Sequence, residues 1–233
     1  MTQQIINQIF NATADQLQRP PQIVLLNSCV VDTGGVLADC ISRTLKYLLD
    51  DSNIFRHPQT ENGYYTFNSD QSMSQFMNRS NLYFVFGRII YWFIIIHSIV
   101  SFPAALDPHI TAYILYEQFP SSLIIQSNVA LGRIIDIIKN YDENVTVEQI
   151  QEDGVGGWLV ETGFNEHQFL CDLRDSQKGA GYLAKHLGNN VMMKGCDIAF
   201  ENVYKGFSSG RIFQSVCFFI YILNMLIVVF TPG

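Results

Sequence analysis

Residues 86–102 of the chain read "FGRIIYWFIIIHSIVSF". Beyond Arg88 nearly every side chain is apolar, with His97 in the middle. A helix that is hydrophobic all round is buried, either in lipid or in a protein core, so this stretch decides the class of the molecule. A membrane-spanning helix needs about twenty apolar residues. The run over 89–106 is barely that long, and Arg88, His97 and Pro103 all count against a span. The expectation is a core helix.

The composition around it sets bounds. The 233 residues suffice for one large domain or two small ones. Hydrophobic residues make up 48% and charged residues only 15%, well below the usual quarter, which fits an extensive buried interior, a membrane contact, or both. The net charge of −7, with no basic run anywhere, argues against a nucleic-acid partner, because phosphate binding needs clustered Lys and Arg. The first eighteen residues lack both a basic start and a long apolar stretch, so they do not read as a secretory signal. Cys29, Cys40, Cys171, Cys196 and Cys217 are odd in number and form no CxxC pair, which reads as reduced cytoplasmic thiols rather than a disulfide framework. The glycosylation sequons at Asn11, Asn78 and Asn144 are then chance occurrences.

Outward from the opening stretch, the pattern is mostly helical. Ile5, Ile6 and Ile9 suggest a short helical lead-in over 1–19, closed by Pro20 and Pro21, and "QIVLLNSCVVD" at 22–32 reads as a buried strand or two. In "VDTGGVLADCISRTLKYLLDD" the residues Leu37, Ile41, Leu45, Leu48 and Leu49 share one helix face. Asp32 and Thr33 are capping types there, Gly34-Gly35 allows a sharp turn, and Asp50-Asp51 reads as a solvated helix end. "GYYTF" at 63–67 alternates like a short strand. "NVALGRIIDIIKNYDE" is amphipathic through Leu131, Ile134, Ile135 and Ile138, and Thr146 is a cap for the segment after it.

Residue chemistry offers little catalysis. The Gly34-Gly35 turn lacks the GK[ST] of a phosphate-binding loop. His167 and Cys171, four apart, would share a helix face with His186 and Cys196 downstream, but the spacing matches no common zinc module, and Cys171 between Leu170 and Asp172 reads as core. His97 reads as a core histidine bonded to a backbone carbonyl. No metal, cofactor or catalytic residue is assigned.

Three blocks point further. The segment from Asp32 through "TGGVLADCISRTLKYLLDD" resembles the start of the N-lobe of the HECT ubiquitin ligases. Asp32, Gly34 and Gly35 match the family's Asp-x-Gly-Gly turn, and Asp39 stands where the family usually has Glu. "NLYFVFGRIIYWFIIIHSIV" is similar to the family's long helix, with Phe84, Gly87 and Arg88 on its aromatic-x-x-Gly-Arg pattern. "DIAFENVYKGF" is similar to the helix that ends in a Lys/Arg-Gly-Phe turn, through Phe200, Gly206 and Phe207. Tyr91 and Trp92 depart from the small residues usual after Gly-Arg.

The resemblance implies an α+β, mostly α-helical N-lobe over 20–211, with a middle subdomain over roughly 108–187 that docks a ubiquitin-conjugating enzyme, and with ubiquitin and a protein substrate as further partners. The lobe that carries the family's catalytic cysteine has no counterpart here, and Cys217, in "QSVCFF", fits no such motif. The expectation is therefore a docking protein of the transferase family without its own catalytic residue. Residues 212–233 form an uncharged apolar tail, whose composition suits either a membrane tail anchor or an apolar extension without that role.

Overall fold

The computed structural model describes residues 2–19, 35–58, 63–68, 76–92, 105–175 and 177–210. The strand expected at 22–32, Asp32, Gly34, His97 and the tail over 212–233 lie outside them. The fold is α+β and mostly α-helical, with one small two-stranded sheet. It divides into two compact units: Met1–Ile114 with Ile198–Gly233, and Leu115–Asp197, which is inserted between those two segments. The expected middle subdomain, roughly 108–187, would begin at the start of one helix, Pro108–Tyr116, and end inside another, Gly179–Met193.

The first unit begins with α1 (Thr2–Asn11) and α2 (Ala14–Leu17). Thr13 caps α2 in a capping box with Gln16, a pairing that satisfies two of the orphan donors at a helix start. Ile6, Ile9 and Leu17 are buried, and α1 packs on the later helices of this unit, so the lead-in is part of the core. Next comes α3 (Gly35–Lys46), which widens into a single π-helical turn at Tyr47–Asp51. Ile41, Leu45, Leu48 and Leu49 are all buried, as their spacing predicts. Asn53 then takes a left-handed conformation with φ of 58°, which asparagine tolerates better than most residues. Strands β1 (Phe55–Arg56) and β2 (Thr66–Phe67) pair antiparallel, with Phe55 opposite Phe67.

The described part of the opening stretch, residues 86–92, lies in the core, as expected. The helix here is α4 (Phe76–Tyr91), which starts well before residue 89. Leu106 sits instead in a parallel bridge to Tyr65, just ahead of α5 (Pro108–Tyr116). Val85, Phe86, Ile89, Ile90, Tyr91 and Trp92 are all buried, so the described part of the stretch is core. Among the described residues no helix is long and apolar enough to cross a membrane.

Besides α1 and α3, α4 meets α12 (Asp197–Ser208) at one close approach. A Cβ on Gly87 would run into the backbone of Val203 and Phe207, and a Cβ on Gly206 would run into the carbonyl of Phe84. The two helices thus touch backbone to backbone at facing glycines. Around that contact Phe67 packs edge-on against Phe200 with centroids 4.8 Å apart, Phe55 against Phe86 at 4.7 Å, and Tyr113 against Phe200 at 5.3 Å.

The second unit is a set of short helices: α6 (Ser121–Ser127), α7 (Val129–Lys139), α8 (Val147–Glu152), α9 (Val155–Glu161), α10 (Glu166–Arg174) and α11 (Gly179–Met193). Leu131, Ile134, Ile135 and Ile138 of α7 are buried as expected, with α6 and α11 as the neighbours of α7. Side-chain caps start three of these helices: Asn128 Oδ1 accepts from Leu131 N, Thr146 Oγ1 from Gln149 N, and Asn165 Oδ1 from His167 N. Each such cap stabilises a helix by about 1 kcal/mol. Between α8 and α9 the chain turns through Gly154, whose φ of 73° lies in the region that glycine enters without a Cβ penalty.

The glycine contact yields a direct test. Gly87→Ala and Gly206→Ala each place a methyl group inside a neighbouring backbone, which calls for a loss of about 3 kcal/mol or more in urea unfolding. Gly157 of α9 is the control, because a Cβ there meets nothing within 4 Å. Gly157→Ala is expected to gain about 0.5–1 kcal/mol from helix propensity alone.

Candidate functional site

Of the residues singled out by family pattern, the structure brings five together: Phe84, Gly87, Arg88, Gly206 and Phe207. Arg88 joins them to the start of the chain. It is a buried cation with 7% exposure, and its Nη1 donates to the carbonyl oxygens of Ile9, Phe10 and Ala12 at 2.7, 3.0 and 2.8 Å. Those carbonyls lie at the end of α1, where helical partners run out and the helix dipole is negative. On its other side Arg88 Nε donates to Ser209 Oγ at 3.1 Å, and Ser209 Oγ donates to the carbonyl of Gly206 at 2.7 Å. The guanidinium also lies 4.4 Å over the Phe84 ring. Burial pulls the Arg88 pKa below its ordinary value. One turn further on, Trp92 Nε1 donates to the carbonyl of Leu17 at 2.8 Å, the same device at the end of α2.

Three pattern residues lie apart from this cluster. Phe200 packs on Phe67 and Tyr113. Gly35 opens α3 with open space around it, and Asp39 is exposed and pairs with Arg43 one turn on. Asp50 departs from its reading as a solvated helix end. It accepts a 2.8 Å hydrogen bond from Tyr65 Oη, which fastens the π-helical turn to the segment leading into β2. Burial and that bond together push the Tyr65 phenol up. His57 Nε2 lies 3.1 Å from the Asp50 carbonyl, so the exposed histidine also braces this turn.

The second unit carries most of the charge. Between Lys139 and Arg174 there are eight carboxylates and no lysine or arginine. Tyr141 Oη donates to Asp153 Oδ2 at 3.0 Å, and burial raises its phenol further. Arg174 closes the same loop, with Nε donating to the Glu143 carbonyl and Nη2 to that of Val145. Val160 on α9 is 73% exposed, and Tyr182 on α11 is also exposed. Next to Tyr182, the ring of His186 lies 5.7 Å from it and 5.1 Å from Phe164, with Nδ1 3.0 Å from Asn190 Nδ2. Burial lowers the His186 pKa, with Asp172 opposing and Lys178 adding to the shift. Asp172 in turn accepts from Lys178 Nζ and Gln168 Nε2, both at 2.9 Å, and the lysine bond holds its carboxyl below the usual range.

Cys171 is exposed, contrary to its reading as a core residue, because α10 turns Phe169, Leu170 and Leu173 inward instead. Cys40 is buried and Cys196 half-buried. Among the described residues, no three His, Cys, Asp or Glu side chains converge to hold a metal ion. The surface of this unit is acidic, with isolated apolar groups such as Val160 and Tyr182 exposed on it.

Comparison of the chain with protein-family models, with curated proteins and with solved structures finds no match. Function therefore rests on the residues themselves. Sequence reasoning found Gly87, Arg88 and Gly206 through their pattern but not what they do. His186, considered from the sequence only as a possible metal ligand, packs instead against Phe164 and Tyr182 beside Asn190.

Two outcomes follow from this geometry. Arg88→Ala leaves the α1 carbonyls without their donor and is expected to cost about 3 kcal/mol in urea unfolding. Arg88→Lys, which lacks the fork, should recover less than half of that. For His186 the folded pKa lies below its ordinary 6.5, so below that pH the unfolded chain binds the proton more readily. Stability is thus full above about pH 6.5 and declines as pH falls through the folded value. The melting temperature should drop between pH 7 and pH 5, and His186→Gln should flatten that drop.

Proposed function

We propose that the chain is a HECT-type docking protein of the ubiquitin system, acting on the cytoplasmic side. It engages a ubiquitin-conjugating enzyme through the second unit, Leu115–Asp197. The observation that carries this reading is the meeting of two family-patterned blocks far apart in sequence. Phe84-x-x-Gly87-Arg88 and Gly206-Phe207 join at one backbone contact, although the Arg88–Ser209 bond beside it spans 121 residues. Two patterns that merely occurred by chance have no reason to fit together atom against atom. The insertion of a separate unit between these blocks also accords with the family's plan of a docking subdomain set into the N-lobe.

The chemistry of the second unit suits such a partner. Its acidic stretch and the protruding Val160 call for a surface that offers basic groups around an apolar recess. No residue of this chain is assigned to ubiquitin transfer, so docking is the step attributed to it.

Calorimetry with a panel of ubiquitin-conjugating enzymes tests this. A member should bind with a Kd of about 1 μM, or −8 kcal/mol, as transient complexes do. Val160→Asp should weaken it at least tenfold while circular dichroism stays unchanged. With a ubiquitin-charged enzyme, non-reducing gels should show no thiol-linked ubiquitin on this chain. Failure of every member to bind removes the docking reading, and a reductant-sensitive ubiquitin adduct removes its non-catalytic character.

A further inference from the structure

We propose that the Asp153–Gly154 step is a latent isomerisation site, held closed by Tyr141 and opened when that side chain lets go. Asp153 is the one aspartate of the chain followed by glycine. An aspartate before glycine is the pair most open to this backbone chemistry, because no Cβ shields the attacking nitrogen. Asp153 is half-buried and Gly154 exposed, so the step lies within reach of water. It forms the turn between α8 and α9.

The reaction needs no cofactor. The Gly154 nitrogen bonds to Asp153 Cγ, and the carboxyl hydroxyl leaves with the amide proton as water. A five-membered succinimide ring results. Water then adds at the ring carbonyl derived from the main chain and opens it. The main chain now runs through Cβ, with the former main-chain carbonyl carbon left as a free carboxylate. One water is lost and one regained, so the isoaspartyl product has the mass of the parent.

Three features of the native turn oppose the first step. Tyr141 Oη donates to Asp153 Oδ2 at 3.0 Å and fixes the carboxylate away from the ring-closing position. The Gly154 N–H donates to the Gln151 carbonyl at 3.0 Å, so the nucleophile is engaged along the helix axis. Asp153 has ψ of −5°, at which its own nitrogen, not its Cβ, eclipses the nitrogen of Gly154. Ring closure requires the opposite. The last two features belong to the end of α8 and last only while that turn is in place. Tyr141 is the side chain that ties it down, from the far end of the α7–α8 connection.

Opening the site has a local consequence. An isoaspartyl residue lengthens the main chain by one methylene where Gly154 holds φ of 73° to start α9, so α9 and its exposed Val160 are displaced. The chemistry at Asp153 does not depend on the docking reading, and the two fail separately.

The test incubates the full chain near neutral pH at 37 °C and follows the Asp153 peptide by mass spectrometry with electron-transfer fragmentation, which separates isoaspartyl from aspartyl backbone. Reading that peptide alone keeps it apart from Asn62–Gly63, which forms the same ring by losing ammonia. Isomerisation should be at least tenfold slower in the native chain than in guanidinium chloride, as protection by folding demands. Tyr141→Phe keeps the ring that packs edge-on against Phe169 and removes only the hydroxyl. It should speed the native reaction at least threefold with unchanged circular dichroism. Asn165→Ala, which strips the α10 cap and leaves the Tyr141–Asp153 bond intact, should speed it less. A native rate within tenfold of the unfolded rate, a rise below threefold in Tyr141→Phe, or an equal rise in Asn165→Ala overturns the proposal.

Discussion

Gly87 and Gly206 set the distance between α4 and α12, and the arrangement of the first unit depends on that distance. With no side chain on either residue the backbones meet directly, gaining dispersion contacts that a Cβ would push apart. The close approach places Arg88 where one guanidinium can serve both the end of α1 and, through Ser209, the end of α12. A cation this deep is costly unless its donors are used. Here the partners are orphan carbonyls that would otherwise be short of donors themselves, so one residue offsets two deficits. The aromatic rings around Phe200 then fill the volume beside the crossing.

The second unit is built on other terms. Its helices are short, and Asn128, Thr146 and Asn165 cap three of them locally. Its polar groups lie at the surface in neighbouring sets, such as Asp172 with Lys178 and Gln168. The contrast between a unit held by a buried cation and one carrying an acidic exterior separates scaffold from surface along a single chain.

What could be read from the sequence follows the range of the interactions involved. The core face of α7 and the Thr146 cap depend on residues three or four apart, and both are as the pattern predicts. The helix expected over "NLYFVFGRIIYWFIIIHSIV" starts earlier, in the polar "FMNRSN", where no apolar periodicity marks it. Cys171 was misjudged by its neighbours. Its position between Leu170 and Asp172 suggests burial, but the helical period set by Phe169, Leu170 and Leu173 turns it outward. The role of Arg88 was out of reach, since its acceptors lie 76 to 79 residues earlier. A pattern can mark such a residue without disclosing its partners.

The inserted topology also imposes an order on synthesis. The second unit closes its contacts within one continuous stretch, Leu115–Asp197, and can form as soon as that stretch has left the ribosome. The apolar surface of α4 is made earlier yet waits longer, because α12 emerges only after the whole insertion has been translated. Such a delay between an early apolar element and its distant partner is where nascent chains aggregate. A product truncated between Asp197 and Gly206 would hold a complete second unit while α4 still lacked its contact with α12.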